Sequence, residues 1–416
     1  MLHLSNAEGT GGTIKSNPSG FIVKEITGRG KVLEPGRQYA CTDLEEVQVQ
    51  EGKFTTFVLQ KTNWNTVQAL VSIAKMLGRG KKSIGYAGTK DRTSVSVQLA
   101  SVYGAEPERL LALHLKDISI NGAWRSNGVE LGSNFGNAFD IVVENVKNIG
   151  NAEAAIASLN GRFPNYFDRQ RFGSRLNNAR VGISIMRGDF EAAVFAILTD
   201  TSEETNKDAV EARERLSNER DFKAALSYFP RYLKNEFYMM NYLAYHENDY
   251  AGALRRIPRG VSMMFIHAVQ SLVFNLNVEE RVRNGNFNSG IWCGSNAYGF
   301  PDLENVTADN ARFPVIPLIG YETMEEHISE LDKGILEDLG ISKESFRIRS
   351  MPELSMKGAY RTLLAPFKNL MINVDEDKMR LSFSIPSGAY ATVLINEVTK
   401  SDDLSLGLLV PRKLSE

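Results

Sequence analysis

The chain is poor in residues that commonly hold metals or disulfides. Its 416 residues include two cysteines and five histidines, and these are scattered without ligand-like spacing. We therefore expect no metal site and no disulfide framework. The distant Cys41 and Cys293 favour a reduced, cytoplasmic protein. No apolar run approaches the roughly 20 residues that cross a bilayer, and residues 1–12 lack the features of a signal peptide. No membrane partner is predicted.

Excess positive charge is also missing, because the formal net charge at pH 7 is -2. The basic residues are nevertheless concentrated. Residues 75–92 carry six of them against Asp91 alone, residues 162–187 carry six against Asp168 alone, and residues 255–259 read RRIPR. Basic patches on a near-neutral protein predict a surface for a polyanion. A single basic helix face would more commonly be merely solvated.

The length of the chain predicts at least two domains, since a single core rarely grows this large. Side-chain periodicity predicts short elements up to about residue 175 and mostly helix over 177–284. Residues 285–320 are rich in Gly, Asn and Pro and predict loops with short strands. The predicted strands lie at 21–26, 93–99, 139–143, 381–385 and 390–394, and the first two predicted helices at 64–77 and 151–160.

A mainly helical block between two strand-bearing segments fits an insertion into one sheet domain. We predict an α+β protein with one domain formed by residues 1–175 and 366–416. The second domain, residues 176–365, is the insertion. The two ends of the inserted segment would then meet again in space.

The first motif, IGYAGTKDR at residues 84–92, is a short apolar run that ends in a small-residue turn. It presents Asp91 between Lys90 and Arg92, and flanking cations favour an ionised carboxylate. The glycines allow a bulky group to approach the backbone. A held carboxylate at the end of a strand can act as an oxygen nucleophile or as an orienting base. The alternative is a polar turn whose aspartate only closes the loop.

The second motif, FPNYFDRQRFG at residues 163–173, places aromatic residues among arginines and amides. Aromatic faces stack on nucleobases, arginines such as Arg171 bind phosphates, and amides read base edges. We predict ligand contacts for Phe167 and Asn165, the latter as a base-edge or a loop-ordering contact. Tyr166 and Phe172 are predicted to pack against the sheet.

With both motifs in view, the chain resembles the TruD family of tRNA pseudouridine synthases. Residues 87–91 match the family's AGxKD loop, and residues 165–173 match its NYFxxQRFG segment. Residues 14–26, 131–139 and 386–394 resemble three further family segments, and residues 267–271 resemble a helix of archaeal and eukaryotic members. Two departures, at Ser19-Gly20 and at Asp168, leave the local loop conformations open.

The resemblance implies a pseudouridine-synthase-type mixed or antiparallel sheet with a large, mainly helical α/β insertion. It implies that uridine is isomerised to pseudouridine in RNA, at uridine 13 of tRNA, without a cofactor. Asp91 matches the family nucleophile, which attacks either C6 of the base or C1′. Lys15 matches a lysine beside it, and Phe167 is implied to stack on the flipped base. Lys90, Arg92 and Arg171 are predicted RNA contacts, and a monomer is the default.

Two rival interpretations have their own signatures. The GRGKKS segment at residues 78–83 suggests a phosphate loop, but its glycine and serine spacing does not fit one. A non-catalytic RNA-binding module would have no need to retain Asp91, Lys15 and Phe167 together. His267 is predicted to be a core histidine. The Tyr360-Arg361 pair is predicted to contact RNA or to form a structural ion pair.

Overall fold

Short strands and helices alternate through the first part of the chain in a computed structural model that describes residues 1–14, 17–46, 48–49, 51–294 and 312–401. The elements of this part are β1 (Thr13–Ile14), β2 (Phe21–Ile26), β3 (Phe54–Thr62), α1 (Thr66–Met76), β4 (Ile84–Tyr86), β5 (Val95–Tyr103), α2 (Pro107–Leu111), β6 (Ile118–Ser126), β7 (Gly136–Glu144), α3 (Asn151–Leu159) and β8 (Arg162–Pro164).

Helices dominate the middle of the chain, and strands return near its end. The middle contains α4 (Asn178–Met186), α5 (Phe190–Thr199), α6 (Lys207–Glu219), α7 (Phe222–Tyr228), α8 (Lys234–Leu243), α9 (Tyr250–Leu254), α10 (Arg259–Asn284), β9 (Trp292–Gly294), β10 (Arg312–Leu318), α11 (Glu330–Asp338), β11 (Ala359–Thr362) and β12 (Leu364–Pro366). The last elements are β13 (Lys368–Asp375), β14 (Lys378–Pro386) and α12 (Ala391–Thr399).

In the described ranges, the main sheet has nine strands of mixed direction. Its order is β13-β14-β7-β2-β5-β3-β6, with β1 added to β7 and β4 added to β5. Among these pairs only β2 and β5 run parallel. The predicted α+β class is confirmed. β9, β10 and β11 form a second, smaller sheet within the helical part.

The chain leaves the main sheet and rejoins it at one place. β8 pairs antiparallel with β12, with Pro164 opposite Leu364, and β14 then pairs with β7. One continuous apolar core joins the sheet to the helices, since Val23 and Ile141 belong to the same buried cluster as Val194 and Leu216. The boundaries of the predicted insertion stay a prediction.

Local capping chemistry explains the bounds of α1, which confirms the helix predicted over 64–77. The Asn65 side chain accepts hydrogen bonds from the main-chain nitrogens of Val67 and Gln68, as an N-cap residue does. The helix ends before Gly78, whose φ of 69° suits a residue without a side chain. The strands predicted at 21–26, 93–99 and 139–143 are confirmed as β2, β5 and β7.

The strand predicted at 390–394 is wrong, because this segment forms α12. Its buried residues include Ala391, Val393, Leu394 and Val398, so the helix is covered on most sides. A short apolar run that is buried all round has no clear period, and alternation over three positions cannot separate helix from strand. The strand predicted at 381–385 is confirmed within β14.

The long helix α10 runs through the centre of the molecule. By length and composition it is apolar enough to cross a membrane, contrary to the expectation that no segment approaches that character. However, 72% of its most apolar stretch is buried inside the protein. We therefore interpret α10 as a core helix. Within the predicted loop region 285–320, residues 295–311 lie outside the described residues.

Candidate active site

Asp91 lies in the loop that joins β4 to β5, and its main chain is held from two sides. Its carbonyl oxygen accepts hydrogen bonds from Lys61 Nζ at 2.8 Å and from Ser94 Oγ at 2.7 Å. Gly85, before the loop, approaches β5 and its neighbours so closely that a Cβ would lie 2.4 Å from the carbonyl oxygen of Val129. The loop is thus fixed to the sheet at both ends.

The Asp91 carboxylate joins the two sequence motifs. Its Oδ1 accepts a hydrogen bond from Gln170 Nε2 at 3.0 Å. Gln170 belongs to a short 3-10 helix, Arg169–Phe172, in the second motif. Asp91 is half-buried and Gln170 is exposed, so the carboxylate is held and yet open on one side. A Cβ at Gly88 would meet nothing within 4 Å, which leaves space beside the loop.

The predicted role of Lys90 is corrected by the structure. Its ammonium lies 2.6 Å from Glu25 Oε2, and the two side chains are only 4% and 1% exposed. Its main-chain nitrogen donates to Thr66 Oγ1 at 2.9 Å. Lys90 therefore anchors the loop to β2 and α1, and it can neither reach RNA nor sit beside the Asp91 carboxylate as a charge partner. Arg92 is exposed, as an RNA contact requires. Lys15 lies outside the described residues.

Lys61 is the basic residue that sequence reasoning missed. Its side chain is fully buried, and burial, with the repulsion of Lys90, lowers its pKa from the ordinary 10.5 to about 8. Only the attraction of Asp91 opposes this shift. A signal did exist in the sequence, since Lys61 follows Phe57 and Leu59 at alternate positions of one strand. Alternate strand residues share a face, so this pattern predicts that the lysine lies on the same buried face as the two apolar residues.

Phe167, predicted as the stacking face, is buried in an aromatic cluster and is 3% exposed. The guanidinium carbon of Arg361 lies 4.1 Å from its ring centroid, and that of Arg171 lies 4.9 Å away. The rings of Phe274 and Tyr390 contact it at centroid distances of 5.5 and 6.2 Å. A base can therefore stack on Phe167 only where a guanidinium now lies.

Asn165 orders the loop, which is one of its two predicted roles. Its Nδ2 donates to the carbonyl oxygen and to Oγ1 of Thr362 at 3.1 and 2.9 Å. Its Oδ1 and its carbonyl oxygen accept from Arg361 at 2.7 and 3.0 Å. The amide is 2% exposed, so it holds Arg361 over Phe167 instead of offering an open edge to a base. Sequence reasoning left Arg361 undecided between RNA and structure.

Asp168 brings a second carboxylate to the site. Its Oδ2 accepts from Thr392 Oγ1 on α12 at 2.8 Å, and its Oδ1 accepts from the main-chain nitrogen of Arg169. Burial raises the pKa of Asp168, and the charge of Asp91 adds to that rise. Asp168 thereby caps the short helix that carries Gln170. The same helix α12 places Tyr390, whose pKa is raised by burial, against Phe167.

Helix α10 supports the second motif from below, which the sequence did not predict. Asn275 Oδ1 accepts from the main-chain nitrogen of Phe167 at 2.9 Å, and Asn275 Nδ2 donates to its carbonyl oxygen at 2.9 Å. His267, on the same helix, is half-buried, and burial together with the nearby Arg171 lowers its pKa. Its predicted role as a core histidine stays a prediction.

Most arginines of the predicted 162–187 patch serve the fold. Arg175 donates to the carbonyl oxygens of Asp200 and Ile197, and Arg187 donates to that of Gly340. Arg169 pairs with Glu203 at 3.1 Å. The patch is therefore weaker as a phosphate surface than its sequence suggests. In the described ranges no cluster of three or more metal-ligating side chains occurs.

Comparisons with known proteins show which family this chain resembles. A family model described as tRNA pseudouridine synthase D (TruD) matches residues 1–398. A relative named as probable tRNA pseudouridine synthase D, from Methanosarcina mazei, is 32% identical and is covered, like this chain, over 97% of its length. A relative of the same name from Methanopyrus kandleri is 34% identical, with 84% of this chain and 86% of that protein covered.

A solved structure extends the likeness to the fold. The crystal structure of a candidate tRNA pseudouridine synthase D (TruD) from Methanosarcina mazei superimposes with a TM-score of 0.73, at 30% identity, over 96% of both chains. The fold and the matched length define an enzyme of the pseudouridine synthase class. Enzymes of this class are isomerases. The chain belongs to the TruD family of tRNA pseudouridine synthases. The predicted resemblance is confirmed.

Proposed function

We propose that this protein isomerises uridine 13 of tRNA to pseudouridine with Asp91 as the nucleophile. The observation that carries the proposal is the Asp91 carboxylate, which Gln170 of the second motif holds at 3.0 Å beside open space. The target position rests on the family resemblance of the two motifs. Uridine in tRNA is the substrate class that the family defines.

The reaction makes three demands on the site. The N-glycosidic bond breaks, the uracil turns while it stays bound, and C5 then bonds to C1′, with the C5 proton leaving. Asp91 attacks C6 of the base or C1′ of the ribose, and either attack requires a fixed carboxylate. The two hydrogen bonds to the Asp91 carbonyl oxygen supply that fixation, which limits misalignment of the reacting atoms.

The charges around the loop support the same role. The buried Lys61 ammonium gives the site a positive potential in a poorly solvated region, where charges interact strongly. A nearby cation stabilises the Asp91 carboxylate before it attacks. Lys15, which matches the family lysine, is proposed to add to this charge.

The uracil pocket is proposed to form around the Phe167 ring. A base that leaves its stack costs a few kcal/mol, about the cost that a replacement stacking partner recovers. In this account the base takes the position that the Arg361 guanidinium occupies at 4.1 Å. Arg361 then moves towards the RNA backbone, where a guanidinium binds phosphate in bidentate fashion.

The experiment is pseudouridine mapping at single-nucleotide resolution on total RNA from cells with and without this protein. The proposal predicts that one signal, at position 13 of tRNA, disappears in cells without the protein. It predicts that the signal returns with the wild-type protein and stays absent with Asp91→Asn. Loss of a signal at another RNA position would contradict the proposed target and leave the enzyme class intact. Return of the signal with Asp91→Asn would contradict the assignment of Asp91 as the nucleophile.

A further inference from the structure

A pocket whose lining residues all come from the helical part of the chain does not include Asp91. It has a volume of about 500 Å³ and is formed by α8, the turn after it, and the segment between α9 and α10. Its lining consists of Tyr238, Asn241, Tyr242, Tyr245, His246 and Arg256. Positions 238, 241, 242 and 245 follow helical spacing, so these side chains share one face.

One wall of this pocket is a rigid stack of three planar groups. The His246 ring lies parallel to the Tyr242 ring at a centroid distance of 4.1 Å and an angle of 7°. The Arg256 guanidinium carbon lies 4.1 Å from the same centroid. Two groups cannot share one face of a ring at that distance, so they lie on opposite faces. The Tyr242 hydroxyl donates to Asp249 Oδ2 at 2.6 Å, which fixes the stack.

The other tyrosines are largely uncovered. Tyr238 is 51% exposed and Tyr245 is 70% exposed. A soluble protein rarely leaves several large aromatic side chains exposed together unless the surface binds something. Beside these rings stand an amide, an imidazole and a guanidinium, which can donate to or accept from the edge of a planar ligand. The described lining residues include a cation and no carboxylate.

We propose that this pocket binds an unpaired nucleobase of the RNA substrate, at a site separate from the uridine that reacts. The proposal rests on the proposed function in that RNA is the ligand. Flat aromatic faces with adjacent hydrogen-bonding groups and an arginine are the chemistry with which proteins hold unpaired bases. A site that reads an unpaired base away from the target selects RNA by its tertiary shape.

The position of the pocket suits this role. Arg256 precedes α10 by three residues, and Asn275, further along α10, holds the main chain of Phe167. The helix rises by about 24 Å between its first residue and Asn275. A folded RNA with its target base near Phe167 can span that distance, whereas a mononucleotide cannot. Of the basic segment at residues 255–259, Arg256 lines the pocket, whereas Arg255 and Arg259 bind Glu353.

The experiment measures the affinity of the full chain for an unmodified tRNA transcript. The double variant Tyr238→Ala/Tyr245→Ala is expected to bind about tenfold more weakly, because stacking on a base is lost. The single-turnover rate at saturating RNA should stay within about twofold of wild type. The salt dependence of binding should keep its slope, since neither side chain contacts phosphate.

Three controls make the result specific. Tyr238→Phe/Tyr245→Phe should bind like wild type, because the rings remain. Tyr232→Ala, which removes a 58% exposed tyrosine outside the lining, should also bind like wild type. A blunt-ended, fully paired RNA duplex of two strands should bind the double alanine variant and the wild type equally, because it offers no unpaired base.

The outcomes separate this proposal from the proposed function. Unchanged tRNA affinity in the double alanine variant contradicts the proposal that the pocket binds a base. A variant that changes only in self-association, measured by sedimentation, contradicts it as well. If the variant loses affinity but the wild type forms no pseudouridine in the same samples, the RNA site stands and the proposed reaction fails. Equal weakening on the blunt-ended duplex also contradicts the proposed base site, because the loss is then not specific to an unpaired base.

Discussion

Two fully buried cations differ in their hydrogen-bond and ion-pair partners. One lies in the helical part and the other beside the Asp91 loop. Arg213 on α6 is 1% exposed, donates to Glu236 Oε1 at 2.9 Å, and also donates to the carbonyl oxygens of Ile197 and Leu198. Lys61 on β3 donates to a main-chain carbonyl oxygen, that of Asp91. In the described part of the chain no carboxylate lies within ion-pair distance of it.

The difference separates a structural from a functional charge. A buried ion pair with further hydrogen bonds offsets much of its desolvation cost. A buried cation without a carboxylate in ion-pair contact retains its desolvation cost. The lowered pKa of Lys61 is the consequence of that cost. Perturbed groups of this kind cluster at functional sites. We infer that Lys61 serves the function of the Asp91 loop, whereas Arg213 stabilises the fold.

The largest expected contrast comes from neutralising each cation in turn. Lys61→Met should lower the single-turnover rate of pseudouridine formation about 100-fold, because the Asp91 loop loses an anchor and a charge. Its free energy of unfolding should not fall. Arg213→Met should lower the free energy of unfolding by about 3 kcal/mol, since the buried Glu236 loses its partner at 2.9 Å and is left with the more distant Arg175 at 3.8 Å. Denaturant unfolding and single-turnover assays check both; a Lys61→Met variant that is unstable but fully active would break the comparison.

The aromatic cluster offers a second, smaller contrast. Phe167→Leu should lower the single-turnover rate about tenfold and leave RNA affinity within about twofold, because the base loses its stacking face. Phe274→Leu, which alters the neighbouring buried ring, should leave the rate unchanged. Both variants should lose about 1 kcal/mol of stability. Equal effects of the two variants on rate would make Phe167 a packing residue.

The pH dependence of the rate follows from the Lys61 pKa. The Lys61 ammonium is charged below about pH 8 in the folded protein and below 10.5 when unfolded. The rate should therefore fall as pH rises through about 8. The free energy of unfolding should rise between about pH 8 and 10.5, because the unfolded state binds more protons there. Lys61→Arg should remove both effects, as arginine stays charged; a descending limb that persists would assign it to another group.

The smallest expected effect concerns salt. RNA binding should weaken as salt rises, and Arg92→Gln should reduce the slope by about 0.9, the value for one phosphate contact on a duplex. Arg215→Gln is the matched control, because Arg215 is exposed but paired with Glu219 at 2.8 Å on α6. Fluorescence anisotropy across a salt series measures both slopes. A slope that is unchanged in Arg92→Gln would remove Arg92 from the RNA contacts.

Chemistry that is local in the sequence was predictable. The Asn65 and Gly78 caps define α1, and alternation defines β2 and β7, because these signals depend on neighbours along the chain. The two motifs of the site were also visible. The contact between Gln170 and Asp91 was not predicted, since it joins residues 79 positions apart.

The predictions that were wrong or left open concern residues whose roles depend on their tertiary surroundings. Lys90 looked like a partner of Asp91 because it is adjacent in sequence, but its side chain points to Glu25 across the sheet. The choice between the two roles predicted for Asn165 also depended on these surroundings, because its amide binds Arg361 and Thr362, which lie almost 200 residues further along the chain. α12 was predicted as a strand because its core environment removes the period that distinguishes the two structures.

The proposed role of Asp91 as the nucleophile is tested most directly by the single-turnover conversion of uridine by Asp91→Asn on a tRNA transcript. The amide keeps the shape of the side chain and one acceptor oxygen for Gln170, but it removes the nucleophilic carboxylate. We predict that no pseudouridine forms while RNA affinity stays within about twofold of wild type. Conversion by Asp91→Asn at a rate near that of the wild type would contradict it.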